Sequence, residues 1–173
     1  QSFLRFLTLF DMHLNSFPFL LGRRPGSCDF AVYGQLTCMA LFDPTPQRLI
    51  LERAPRVYAW TEVMEDLSGH EVLEDDWVVN SPEINQLPES LTAILSEIGS
   101  IYVTYLLANA AAAEKQLVQF KTSIGGKDWE QQTFPYQYKC LTWIKEEWSA
   151  LDTKQSGQFS QLISKTGVSN LFN

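Results

Sequence analysis

Pro18-Phe19-Leu20-Leu21-Gly22-Arg23-Arg24-Pro25-Gly26-Ser27-Cys28-Asp29-Phe30-Ala31-Val32-Tyr33-Gly34-Gln35-Leu36 reads as a loop that turns into a helix, and this turn decides the fold. Pro18 and Gly22 keep its first part irregular, and Pro25 disfavours helical backbone at Arg24 before it. With Gly26 as N-cap, Asp29 falls at N3, where its carboxylate reaches back to the N-cap amide and lies favourably in the helix dipole. The same register sets Pro25 at N′ against Phe30 at N4, the spacing of a hydrophobic staple. Pro25, Gly26, Asp29 and Phe30 therefore form a structural helix cap, a folding device rather than a catalytic one. Cys28 lies in the first turn, where a helix dipole lowers a thiol pKa, but its expected role is that of a small packing residue. Arg23 and Arg24 precede the helix start, an anion-attracting place, and are expected to be solvated loop charges.

Helix signals spread in both directions from this turn. Upstream, residues 2 to about 15 put apolar side chains on nearly every side, which predicts a helix buried all round or touching a second body. His13 on it is expected to be a hydrogen-bonded core or interface residue. Downstream, the helix opened at Gly26 runs to about residue 42 and stops at Asp43-Pro44-Thr45-Pro46. A third helical region starts with Thr45 as N-cap and Pro46 at the first helical position. It breaks at Pro55 and resumes with Val57, Trp60, Met64 and Leu67 as its apolar stripe. Residues 70 to 87 have no period and read as a long loop.

Pro88-Glu89 begins the longest periodic run, in which Leu91, Ile94, Ile98, Ile101, Tyr105, Asn109 and Ala112 follow one helical face as far as Phe120. Gly125-Gly126 closes it, residues 127 to 135 read as a loop, and residues 136 to about 151 as a last strong helix. Strand signals are scarce. The predicted class is all-α, a helical bundle over residues 1–151 with a Ser-, Gln- and Gly-rich C-terminal tail over 152–173.

The chain has 173 residues, 13 Lys and Arg against 20 Asp and Glu, a net charge of −7, and 45% hydrophobic residues. Such a chain can bury a substantial core. Its acidity argues against nucleic acid as a partner, because the phosphate backbone calls for clustered Lys and Arg. The acidity is also local, since residues 57 to 114 hold eleven acids and neither Lys nor Arg. An anionic ligand should avoid that stretch. The longest continuous apolar stretches, residues 3–10 and 101–113, fall short of the ~20 residues of a membrane span, so no membrane partner is expected. Cys28, Cys38 and Cys140 fit no disulfide framework, zinc spacing or redox pair, which points to a reducing, cytoplasmic setting. His70-Glu71 with Glu74-Asp75-Asp76 lacks a fixed ligand geometry, so no metal is expected there.

Candidate pocket residues come from the later helices. Tyr102, Tyr105 and Asn109 share a helical face, and Ala108 with the run from Ala110 to Ala113 surrounds the Asn with small side chains. Small residues either let another helix approach or leave room for a ligand. A buried Asn needs hydrogen-bond partners, so Asn109 is expected to bond a neighbouring helix or backbone, with a pocket role as the alternative. Tyr136, Gln137 and Trp143 are candidates to face the same space.

The run 18–36 resembles the segment of glutathione S-transferase C-terminal domains in which a loop leads into a capped central helix. Asp43-Pro44, followed by Ala54-Pro55-Arg56-Val57-Tyr58-Ala59-Trp60, resembles the proline-started helix ending in Trp of that family. Tyr105-Leu106-Leu107-Ala108-Asn109-Ala110 and Phe134-Pro135-Tyr136-Gln137-Tyr138-Lys139-Cys140-Leu141 are similar to a subgroup of bacterial and fungal members with an extended C-terminus. One position departs from the pattern. The family usually has Ser or Thr where this chain has Gly26, a weaker cap by only about a few tenths of a kcal/mol.

The resemblance covers residues 2–151. It implies a fold of the glutathione S-transferase C-terminal type that lines the pocket for a hydrophobic electrophile, while an N-terminal thioredoxin-like domain binds glutathione and supplies the group that activates its thiol. It also implies a homodimer and a role in detoxification. Nothing in this chain resembles the thioredoxin-like part, and residue 3 onward aligns with the second helix of the helical domain, so the first helix is expected to be missing. The chain alone is therefore expected to be inactive, with no catalytic residue and no cofactor of its own, glutathione being the co-substrate of the intact protein. The rival expectation is a non-catalytic protein-interaction or scaffold domain, since the same helical fold is reused in that way, with the acidic loop 70–87 as its partner surface.

Overall fold

Pro44, Pro55 and Pro135 each stand at the start of a helix, where a missing N–H costs no hydrogen bond and the fixed φ is already helical. The structure, a computed structural model, describes residues 1–73 and 86–172. Among the described residues the chain is mostly helical and carries a two-stranded sheet. It divides into two compact units, Gln1–Ile94 and Leu95–Asn173.

The first unit holds α1 (Ser2–His13), α2 (Ser27–Thr37), α3 (Pro44–Arg53) and α4 (Pro55–Glu65). α1 packs on α3 and α4, and α2 packs on α4. Leu7, Phe10, Phe19, Leu36, Ile50, Val57, Trp60 and Met64 make the core. Phe10 meets Trp60 edge to face with ring centroids 4.9 Å apart, an arrangement that places the positive ring edge against the negative face. α1 is not buried all round: Leu7, Phe10, Asp11 and His13 face inward, while Leu4 and Met12 stay exposed. Asp11 caps α4 from α1, its carboxylate taking the Arg56 amide at 2.8 Å and the Arg56 guanidinium at 2.7 Å. An acid beside the first N–H groups of a helix satisfies a donor that the helix leaves unpaired.

Two boundaries differ from the sequence expectation. α2 gives way to a π-helical turn at Cys38–Phe42, and the N-cap of α3 is Asp43 rather than Thr45. The Asp43 carboxylate accepts from the Thr45 amide at 3.0 Å, which puts Pro44 at the first helical position. An aspartate oxygen two residues earlier offers a stronger cap than the Thr hydroxyl.

The division between the units falls within α5 (Glu89–Glu97). A π-helical segment, Ile98–Val103, and α6 (Thr104–Glu114) follow directly. The helical run Glu89–Glu114 has a mean hydropathy of 1.5 over its most apolar 18 residues, long and apolar enough to cross a membrane by length and composition alone. The shorter uninterrupted stretches in the sequence conceal this, because scattered Glu, Ser and Thr break the run without lowering its average.

The second unit departs from an all-α reading. The long helix ends at Glu114 and not at Phe120, because Gln116 takes a left-handed φ of 54°. Leu117 N–H then donates to Ala112 O at 2.9 Å and Gln116 N–H to Ala113 O at 3.0 Å, the paired bonds of a Schellman ending. The chain next forms a hairpin of β1 (Gln119–Ile124) and β2 (Lys127–Gln132), in antiparallel register from Gln119 opposite Gln132 to Ile124 opposite Lys127. Gly125 and Gly126, at φ 56° and 74°, supply the two positive φ angles that a two-residue type I′ turn demands. The stretch read as a loop is thus a strand. α7 (Pro135–Ala150) and α8 (Thr153–Ile163) follow, and a 3₁₀ turn, Val168–Phe172, closes the unit. Val103, Leu106, Ala110, Leu141 and Leu171 make its core. α8 is a full helix because Asp152 and Gln155 exchange side-chain-to-backbone bonds of 2.7 and 3.2 Å, a capping box.

Candidate functional site

Asp29 is fully buried and works harder than a helix cap requires. Its Oδ2 accepts from the Gly26 amide at 2.9 Å and its Oδ1 from the Leu20 amide at 2.9 Å. One carboxylate therefore closes the capping box and fastens the preceding loop to α2. The Pro25–Phe30 staple contributes less than its spacing suggests, since Phe30 is 52% exposed. Cys28 Sγ lies 3.7 Å from Asp29 Oδ2, and burial, with the carboxylate beside it, pushes the thiol up to about 11. The helix dipole does not make this thiol a nucleophile.

His13 belongs to the same assembly. Its Nε2 lies 3.1 Å from the Phe19 carbonyl and its Nδ1 2.9 Å from Ser90 Oγ. A carbonyl only accepts, so Nε2 carries the proton and Nδ1 accepts from the Ser90 hydroxyl. Phe17 stacks on the imidazole at 5.1 Å. Burial holds the His13 pKa below its ordinary value, against the opposing pull of the Phe19 carbonyl and the Asp29 charge. His13 is thus a core residue with both nitrogens engaged. His70 packs edge-on against Phe19 at 5.2 Å and its Nε2 lies 3.3 Å from the Arg23 carbonyl. Glu74, Asp75 and Asp76, and most of the acidic loop, lie outside the described residues. Among the described residues no group of three His, Cys, Asp or Glu is placed to hold a metal ion.

In the second unit the six candidate residues fall into two sets. Tyr102 and Tyr105 lie 6.2 Å apart, Tyr105 packs on Phe120 of β1 at 5.9 Å, and its hydroxyl accepts from Gln131 Nε2 of β2 at 2.8 Å. Burial raises the Tyr102 pKa, so the phenol keeps its proton. Asn109 is fully buried and bonds the backbone of Phe134 on both sides, Nδ2 to the carbonyl at 3.0 Å and Oδ1 to the amide at 2.7 Å. Tyr136, in the first turn of α7, and Trp143, halfway along it, form the second set. They meet edge to face at 6.4 Å, Phe134 lies 6.4 Å from Tyr136, and Lys139 Nζ sits 4.9 Å from the Trp143 ring. All three aromatics are about half exposed. Gln137 has a buried Oε1 without a hydrogen-bond partner among the described residues.

The open space lies elsewhere on the same helices. A groove of about 700 Å³ runs between α6 and α7, with Leu107, Ala110, Ala111 and Leu141 as apolar lining and Glu114 and Lys145 among its charges. None of the six candidate residues lines it. Leu107, Ala110, Ala111 and Glu114 recur at the spacing of a second helical face, so the sequence did carry a signal for this groove. It was masked by the aromatic face beside it. A cleft of this size is in the range of small-molecule sites.

No protein-family profile, no curated protein and no solved structure matches the chain. The chemistry of the described residues offers buried polar locks, an exposed aromatic cluster and an open helical groove.

Proposed function

We propose that the chain is the helical C-terminal domain of a glutathione S-transferase-like protein. In this reading a separate thioredoxin-like domain binds glutathione and activates its thiol, and the helical domain lines the space for a hydrophobic electrophile. The observation that carries the reading is the buried Asp29, which closes the capping box at Gly26 and binds the Leu20 amide, in the segment whose sequence resembles that family. The proline-started α4 with Trp60 in the core supports it. The groove between α6 and α7, with Tyr138 and Leu141 on its wall, offers an apolar surface for an electrophile. A homodimer in the cytoplasm belongs to the same proposal.

The test is reconstitution. The chain joined to a glutathione-binding thioredoxin-like domain should form a thioether between glutathione and an aryl halide, and the chain alone should not. Tight glutathione binding with no thioether formed would sink the transferase reading and favour a non-catalytic interaction or scaffold domain.

A further inference from the structure

His13 ties three elements of the first unit together. It sits at the end of α1, its Nε2–H donates to the Phe19 carbonyl in the loop, and its Nδ1 accepts from Ser90 in the first turn of α5. We propose that His13 is a proton-operated latch, which when neutral holds the first turn of α5 to α1 and the loop, and when protonated releases it.

The geometry sets the direction. The Phe19 carbonyl takes the single N–H of the neutral ring, so a second proton must enter at Nδ1, on the side of Ser90. The Ser90 hydroxyl, which donates there while the ring is neutral, then has to turn its hydrogen to another acceptor before its oxygen can take the new N–H. The ring is fully buried and stacked on Phe17, so water reaches the new charge only if the contact opens.

The surrounding charges do not remove this conflict. Asp29 on α2 is the acid whose charge acts on His13, and both its oxygens already accept from the Gly26 and Leu20 amides. Asp11, two residues earlier on α1, is paired with Arg56 of α4. Glu89, next to Ser90 on α5, is exposed. His70 lies against Phe19, edge-on to its ring, and bonds the Arg23 carbonyl. Leu91 and Ile94 stay buried in the core, so release is a local opening of the first turn rather than global unfolding.

The sign follows from the depressed folded pKa of His13. The closed latch binds fewer protons than the open one, so its stability is complete above the ordinary His pKa of about 6.5 and declines as pH falls from there toward the folded value.

Hydrogen exchange read on the amides of residues 92–94, the first of α5 with helical acceptors, tests this, with the amides of α4 as internal reference. Between pH 7.5 and 5.0, after correction for intrinsic rates, protection at 92–94 should fall several-fold, with a ceiling of about 30-fold set by a pKa near 6.5 in the open state. His13→Gln, a neutral amide with one donor and one acceptor, should abolish the pH dependence. Ser90→Ala keeps the imidazole and should leave protection low at both pH values. Constant protection in the wild-type chain overturns the latch. So does a pH-dependent fall that persists in His13→Gln or, should that variant not fold, in Ser90→Ala.

Discussion

Asn109 holds the backbone of Phe134 at both of its polar groups, donating to the carbonyl at 3.0 Å and accepting from the amide at 2.7 Å. Phe134 is the N-cap of α7, so one buried side chain on α6 sets where α7 begins. Both ends of the amide are engaged by this contact. Asn109→Leu should lower unfolding stability in urea by about 2–4 kcal/mol, the cost of two lost bonds and a stranded Phe134 amide, the carbonyl keeping the Gln137 N–H. Should the chain joined to a glutathione-binding domain form a thioether as proposed, its co-substrate selectivity should not change. Altered selectivity with full stability would place Asn109 in a pocket instead.

Asp29→Ala strands the amides of Leu20 and Gly26 together. A loss of about 2–4 kcal/mol is expected by chemical denaturation. Limited proteolysis should show its first new cut within residues 18–26, since the loop loses its tie to α2 before the core opens.

Gly99 lies where the π-helical segment meets the turn before the 3₁₀ helix. An added Cβ would strike the Thr166 carbonyl oxygen and sit 2.9 Å from the carbonyl carbons of Thr166 and Gly167. Backbone cannot yield as a side-chain tip does, so Gly99→Ala should cost more than about 1 kcal/mol, in the overpacking range. Thermal unfolding followed by circular dichroism measures it. Gly34→Ala, with open space around the added methyl, should be neutral or stabilising, as expected for alanine within a helix.

The hairpin turn separates two substitutions that a loop would not. Gly126 has φ 74° and no atom within 4 Å of an added Cβ. Gly126→Asn should be nearly neutral, because Asn enters the left-handed region readily, whereas Gly126→Val should cost at least about 1 kcal/mol. Equal stabilities in thermal melts would count against the type I′ turn.

Cysteine reactivity gives a chemical check on the burial around Asp29. With its thiol pushed up to about 11, Cys28 carries a negligible thiolate fraction at pH 8. Iodoacetamide at that pH should alkylate the exposed Cys38 well before Cys28, as read by peptide mass spectrometry. Asp29→Asn removes the neighbouring charge and should speed Cys28 alkylation toward that of Cys38.

Local signals told the truth where one short stretch controlled the outcome. Gly26 and Asp29 are three residues apart, so their capping box could be read from spacing alone, and the break at Pro55 from the proline itself. The hairpin was equally local and was missed. Gly125-Gly126 reads as the end of a helix, because the apolar period runs on through Gln116, Leu117 and Phe120 while the left-handed turn at Gln116 has no compositional mark. The capping box at Asp152 and Gln155 was likewise present and hidden in a polar tail.

Tertiary structure alone decided the contacts that join distant residues. Nothing in the sequence pairs His13 with Ser90, Asp11 with Arg56 or Asn109 with Phe134, at separations of 77, 45 and 25 residues. Helical periodicity names the face a residue occupies, but not the neighbour that face will meet, since that depends on how whole helices pack. For the same reason the sequence marked Tyr102, Tyr105 and Asn109 as one face of a helix, whereas packing filled that face with the hairpin and the Phe134 backbone and left the open groove one face away.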